Sequence, residues 1–161
     1  MRKKSVGRPE SDTSREEIKV LTFLSPKEVH SLGGLPSEGI AGFIQGNRVT
    51  GQAFRPNPRF IDFLHEEIRW TAPSDPEFRA TARQQINGWA YIIDLRSPEG
   101  PQSRVPPEDV IGAFQVQNGE IIPASYEVND RYSPFWAGRL VTLPPMLRAA
   151  FVARLPKVLE S

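Results

Sequence analysis

Cysteine is absent from the 161 residues of the chain. That absence excludes disulfide staples, thiolate-bound zinc or iron-sulfur sites and a cysteine nucleophile, and it suits a reducing compartment. Histidine is almost as scarce. Only His30 and His65 occur, at a separation that fits no HExxH or comparable metal-binding spacing, so neither a metal site nor a cofactor is expected. Long apolar runs are missing too: no stretch approaches the roughly 20 residues of a membrane span, and residues 1 to 17 offer no apolar core for a signal peptide. The expected location is the cytoplasm, with no membrane partner. GxGxxG, GxxxxGK[ST] and GxSxG loops are also absent, which leaves dinucleotide-binding, P-loop and hydrolase readings without their usual support.

Net charge of one sign is lacking as well, because 20 basic side chains face 19 acidic ones. No global field therefore draws nucleic acid or an anionic surface. The distribution is uneven, however. Between 105 and 130 lie Glu108, Asp109, Glu120, Glu127 and Asp130 without a Lys or Arg, whereas 131 to 161 holds Arg131, Arg139, Arg148, Arg154 and Lys157 against Glu160 alone. The simplest expectation is that the two segments pack together and neutralise one another.

What is plentiful is proline. Sixteen are scattered among apolar segments, about double the average usage, which points to many short elements with rigid connections. Residues 1 to 17 are polar, without apolar periodicity, and read as a mobile tail ahead of one domain over 18 to 161. A strand over 18 to 24 is expected first, then a short helix that Ser25-Pro26 opens and Gly33-Gly34 closes, and a weaker strand over 40 to 45. Asn57-Pro58 starts a helix to about Trp70, with Phe60, Ile61, Leu64 and Ile68 inward and Asp62, His65, Glu66 and Arg69 on a polar face. Asp75-Pro76 starts a second, presenting Phe78, Ala82 and Ile86 to the core.

The run from Trp89 to Leu95 reads as a central strand with Trp89, Tyr91, Ile93 and Leu95 facing inward. Asn118-Gly119 then joins strands at 110 to 117 and 120 to 126, because both central positions of a type I′ turn need positive φ. A strand over 136 to 143 and a helix from Pro144-Pro145 to Pro156 complete the chain. Together these predict an α+β fold, an antiparallel sheet of four to five strands with helices packed on one face.

Few residues point to chemistry. Asp62, His65 and Glu66 share a helical face, as a solvated face also would, and Asp94 is a lone carboxylate near the end of the best strand. No catalytic residue is assigned. A meander of these strands would bring the connections 96 to 109 and 127 to 135 together opposite the Asn118-Gly119 turn. There Arg96, Glu99, Arg104, Glu108 and Asp109 would meet Asp130, Arg131 and Tyr132 in a mixed-charge cluster suited to binding. In the tail, Arg2, Lys3, Lys4 and Arg8 are basic, and Gly7-Arg8-Pro9 is similar to the Gly-Arg-Pro core of minor-groove AT-hook peptides, with Val6 where those carry a further arginine. That resemblance implies weak DNA contact through the tail.

These features favour a non-catalytic protein-interaction or assembly module, with a protein partner or a second copy as the target. A small enzyme with a carboxylate and arginine site, and a DNA-associated regulator using the tail, stand as alternatives.

Overall fold

The computed structural model describes residues 18–45, 53–98 and 104–159. Arg2, Lys3, Lys4, Arg8 and Glu99 lie outside them. The fold is α+β, and the described residues form antiparallel sheets of three, four and two strands and four α-helices. Strand β1 (Ile18–Leu21) leads into helix α1 (Pro26–Leu32), whose Ser25 and Glu28 form a complete capping box. Strands β2 (Gly42–Gln45) and β3 (Phe54–Pro56) pair with β1 in the order β1-β2-β3.

Helix α2 (Pro58–Thr71) starts where Asn57 accepts from the Arg59 amide and Pro58 occupies the first turn. The Asn57 amide group also donates to the carbonyls of Ser37 and Ile40, which anchors the helix to the preceding turn. Helix α3 (Pro76–Gln85) repeats the arrangement with Asp75 as its cap. Ile86, expected inside, is exposed at φ 74° just past the end of α3. The helix cannot place it inward, because the chain has already turned toward the next strand.

Strands β4 (Gly88–Ile93) and β5 (Val110–Gln117) form the longest ladder, and β6 (Glu120–Ile121) and β7 (Glu127–Val128) both pair with the far side of β5. The Asn118-Gly119 turn has the two positive φ values its sequence predicts. The strand expected over 120 to 126 is broken after Ile121, where Pro123 opens a 3-10 turn.

Two expectations about this sheet are corrected. The central strand is β5, and β4 is an edge strand. The inward face of β4 carries Ala90 and Ile92, while Trp89 and Tyr91 are 37% and 55% exposed. Helix α3 decides the face. Its Ala82 packs against Ala90 and Val116, and its Phe78 meets the Phe114 ring edge-on. The larger aromatic alternation of Trp89 and Tyr91 suggested burial, but the closely packed helix accepts only the small Ala90 beneath it.

The segment 136 to 143 is no strand of this sheet either. It forms a separate hairpin of β8 (Phe135–Trp136) and β9 (Arg139–Leu140), turned by Ala137 and Gly138, both at positive φ. The main core gathers Phe60, Phe63 and Leu64 of α2 with Ile92, Ile111 and Phe114 of the sheet and Leu147, Phe151 and Leu155 of helix α4 (Pro145–Leu159). Phe151 meets the rings of Phe23, Phe60 and Phe63 at 5.2, 5.4 and 4.7 Å. Helix α4 runs through Pro156, where it was expected to stop, since a proline this near the end removes only one ladder bond. Among the described residues no helix is long and apolar enough to cross a membrane.

Candidate functional site

The two long connections do meet, at the end of the sheet opposite the Asn118-Gly119 turn. Asn129 donates to the carbonyls of Pro107 and Val110, and the Ser133 amide donates to Glu108 at 3.3 Å. Arg96 sits buried between them. Its Nε donates to Asp109 Oδ1 at 2.7 Å, and its Nη atoms reach the carbonyls of Glu108 at 2.9 Å and Arg139 at 3.4 Å. Asp94 lies 3.7 Å from the same guanidinium and accepts from the Tyr132 hydroxyl at 2.8 Å and from the Thr142 and Arg96 amides at 2.9 and 3.1 Å.

Burial pushes the Asp94 carboxyl up, against the pull of Arg96 and those hydrogen bonds. Burial and the neighbouring Asp94 likewise hold the Tyr132 hydroxyl well above the ordinary tyrosine range. Of the residues singled out by sequence, Arg96, Asp109, Tyr132 and Asp94 thus share one buried network, and Asp94 is no lone carboxylate there but accepts from the Arg96 amide of the following turn and lies beside the Arg96 guanidinium. Arg131 lies outside it on the surface, paired with Glu108 at 3.1 Å. Arg104 and Asp130 are exposed, and Asp130 lies within electrostatic range of His65 instead.

A cavity of about 140 Å³ adjoins the network, bordered by Arg96, Arg104, Arg139 and Trp136. The acidic and basic segments neutralise one another only in part. Arg131 pairs with Glu108, whereas Arg148 and Arg154 reach back to Glu28 and Glu67.

On α2, Asp62 and Glu66 face solvent but His65 does not. Its Nδ1 is hydrogen bonded to the Tyr126 hydroxyl at 2.7 Å, beneath the Arg69 guanidinium, which lies 5.2 Å from the Tyr126 ring. Desolvation holds the imidazole down to about 4, so His65 is neutral at physiological pH, and burial raises Tyr126. Gly112 makes the pair possible: a Cβ there would run into the Tyr126 ring and hydroxyl. No group of three or more His, Cys, Asp or Glu suited to a metal ion occurs among the described residues.

A large apolar groove lies at the free edge of the sheet, where sequence reasoning did not look. Beside β4 is a groove of about 500 Å³, walled by Ala72 and Phe78, by Tyr91, Ile92 and Leu95, and by Pro144, Pro145 and Leu147 at the start of α4. Its charged border is acidic, with Asp75 and Glu77 and no Lys, Arg or His. The register of the sheet fixes which backbone groups face it. The Gln115 and Ile111 carbonyls accept from Ile122 and Asn129, so odd-numbered residues of β5 point away from β4 and the even-numbered ones bond to Gly88, Ala90 and Ile92.

Trp89 and Tyr91 consequently aim their N–H and C=O groups off the sheet. The Trp89 carbonyl is taken by Gln85 Nε2 at 2.7 Å, and Tyr91 has no hydrogen-bond partner among the described residues. Alternation in the sequence could have located this edge had Ala90 and Ile92 been chosen as the inward pair, since Trp89 and Tyr91 then face out. The chain matches no known family model, and neither curated proteins nor solved structures match it.

Proposed function

We propose that the chain is a non-catalytic protein-interaction module of a cytosolic complex, docking through the free edge of β4 and the groove beside it. The observation that carries this reading is the coincidence of three features at one place. An edge strand whose Tyr91 backbone groups have no partner among the described residues, the exposed aromatics Trp89 and Tyr91, and a large apolar groove all adjoin. Open edges invite strand addition, and folded proteins ordinarily blunt them with charge, proline or cover. Beta-strand β4 contains no charge and no proline.

The enzyme reading stands second. It draws on the cavity beside Arg104 and Arg139, where two exposed guanidiniums and Trp136 could hold an anion. Arg96, Asp94, Asp109 and Tyr132 are bonded to one another, which suits a brace between loops better than a reacting centre. A DNA-associated role rests on the basic tail sequence alone.

The test is a selection from a displayed library of 12-residue peptides against the wild type and Tyr91→Pro. Proline at 91 removes an N–H that points off the sheet and leaves the β4–β5 ladder bonds in place. The reading expects sequences retained by the wild type and lost by a Tyr91→Pro variant of unchanged melting temperature. Failure to retain any sequence, or equal retention by both proteins, contradicts it.

A further inference from the structure

We infer that the occupant of the groove is an extended peptide segment of a partner, apolar at alternate positions and bearing Lys or Arg where it meets Asp75 and Glu77. This rests on the interaction reading above and specifies its ligand. A strand laid along β4 would bond to the backbone groups of Tyr91 and place every second side chain on the helix side of the sheet. That side is where Phe78, Ile92, Leu95 and Leu147 line the groove, so those positions of the peptide are apolar. The intervening side chains would lie on the open face beside Trp89, with the half-exposed Tyr91 at the rim between that face and the groove, where polar residues are tolerated.

Charge selects among the occupants. The border of the groove carries two carboxylates and no cation, so a peptide with a basic residue gains from complementarity that is screened by salt. A second copy pairing edge to edge about a two-fold axis would bring its own Asp75 and Glu77 to the same seam, placing like charges together. Residues 1 to 17 of the chain are basic in part, but Met1 and Val6 are their only large apolar side chains, too few to fill alternate positions of the groove.

The experiment uses three fluorescein-labelled nine-residue peptides with the same alternating Val-Thr centre, ended by Lys, by Glu or by Gln, titrated by anisotropy against the full chain. Lys-ended peptide is expected to bind at least tenfold tighter than the Glu-ended one at low salt, with the difference collapsing near 0.5 M salt. Asp75→Asn combined with Glu77→Gln keeps a capping side chain at 75 and should abolish the preference while both peptides still bind. Equal binding of Lys-ended and Glu-ended peptides by the wild type overturns the charge inference and leaves edge docking standing. Absence of binding by all three, or undiminished binding by Tyr91→Pro, removes the interaction reading with it. A wild-type dimer that Tyr91→Pro converts to monomer assigns the edge to a second copy, and tighter binding after deletion of residues 2 to 16 assigns it to the chain's own tail. Either result overturns the inference.

Discussion

Replacing Arg96 by Ala removes the only cation from the buried network and leaves Asp94 and Asp109 facing one another's surroundings uncompensated. Its side chain is 2% exposed, and the substitution deletes the 2.7 Å bond to Asp109, the donations to Glu108 and Arg139 and the ion pair with Asp94. Breaking a buried pair by removing one partner costs about 3 to 5 kcal/mol, because the remaining charge stays desolvated. With an urea slope of roughly 2 kcal/mol per molar, the unfolding midpoint should fall by about 2 M. Arg131→Ala, which touches only the surface pair with Glu108, should cost about 0 to 1 kcal/mol.

The deficit of Arg96→Ala should also depend on pH. Asp94 is already held above the ordinary aspartate range by burial, and losing the guanidinium, whose charge pulls it down, raises it further. Carboxyls whose folded pKa exceeds the unfolded one destabilise progressively as pH rises, so the gap to wild type should be smaller near pH 4.5 than at pH 8. Urea unfolding at those two pH values checks both parts. A variant within about 1 kcal/mol of wild type, or a gap unchanged with pH, would refute the role of Arg96 as a buried brace.

Three further outcomes follow from the packing. His65, held down to about 4 by desolvation, stays neutral while the unfolded chain protonates, so stability should decline as pH falls from about 6.5 towards 4, by roughly 2 to 3 kcal/mol; thermal melts of wild type and His65→Gln check it, and the variant should lose that dependence. Gly112→Ala forces a methyl group into the Tyr126 ring and should cost about 1 to 3 kcal/mol, with Gly112→Ala in a Tyr126→Ala background recovering most of the loss. Trp89→Ala, on the open face, should cost about 1 kcal/mol or less, against about 2 to 5 kcal/mol for Ile92→Ala beneath the helices; comparable losses in urea titrations would mean that the face assignment is wrong.

Local chemistry made several elements legible in the sequence. Ser25, Asn57 and Asp75 each cap a helix with a proline following, and Asn118-Gly119 turns a hairpin, because these signals act within four residues. The meeting of the loops at 96 to 109 and 127 to 135 was also readable, since it follows from connectivity once β4 to β7 are placed. Tertiary contacts were not. The choice between Trp89/Tyr91 and Ala90/Ile92 as the buried pair depends on Ala82 of α3, which alternation along β4 cannot reveal. The depth of His65 depends on Tyr126, more than sixty positions away, reaching over Gly112. The β8–β9 hairpin escaped because Ala137, an unusual residue at positive φ, hides the turn.

The central claim, that the edge of β4 is open for docking, is tested most directly by residue-resolved amide hydrogen exchange. Ala90 and Ile92 bond to β5 and should exchange slowly, whereas the Tyr91 amide, aimed off the sheet, should exchange as fast as an exposed loop. Addition of a saturating Lys-ended peptide should then slow Tyr91 specifically, leaving Ala90 and Ile92 unchanged. A Tyr91 amide that is already as protected as its two neighbours in the free chain would mean that the edge is covered, and would contradict the account.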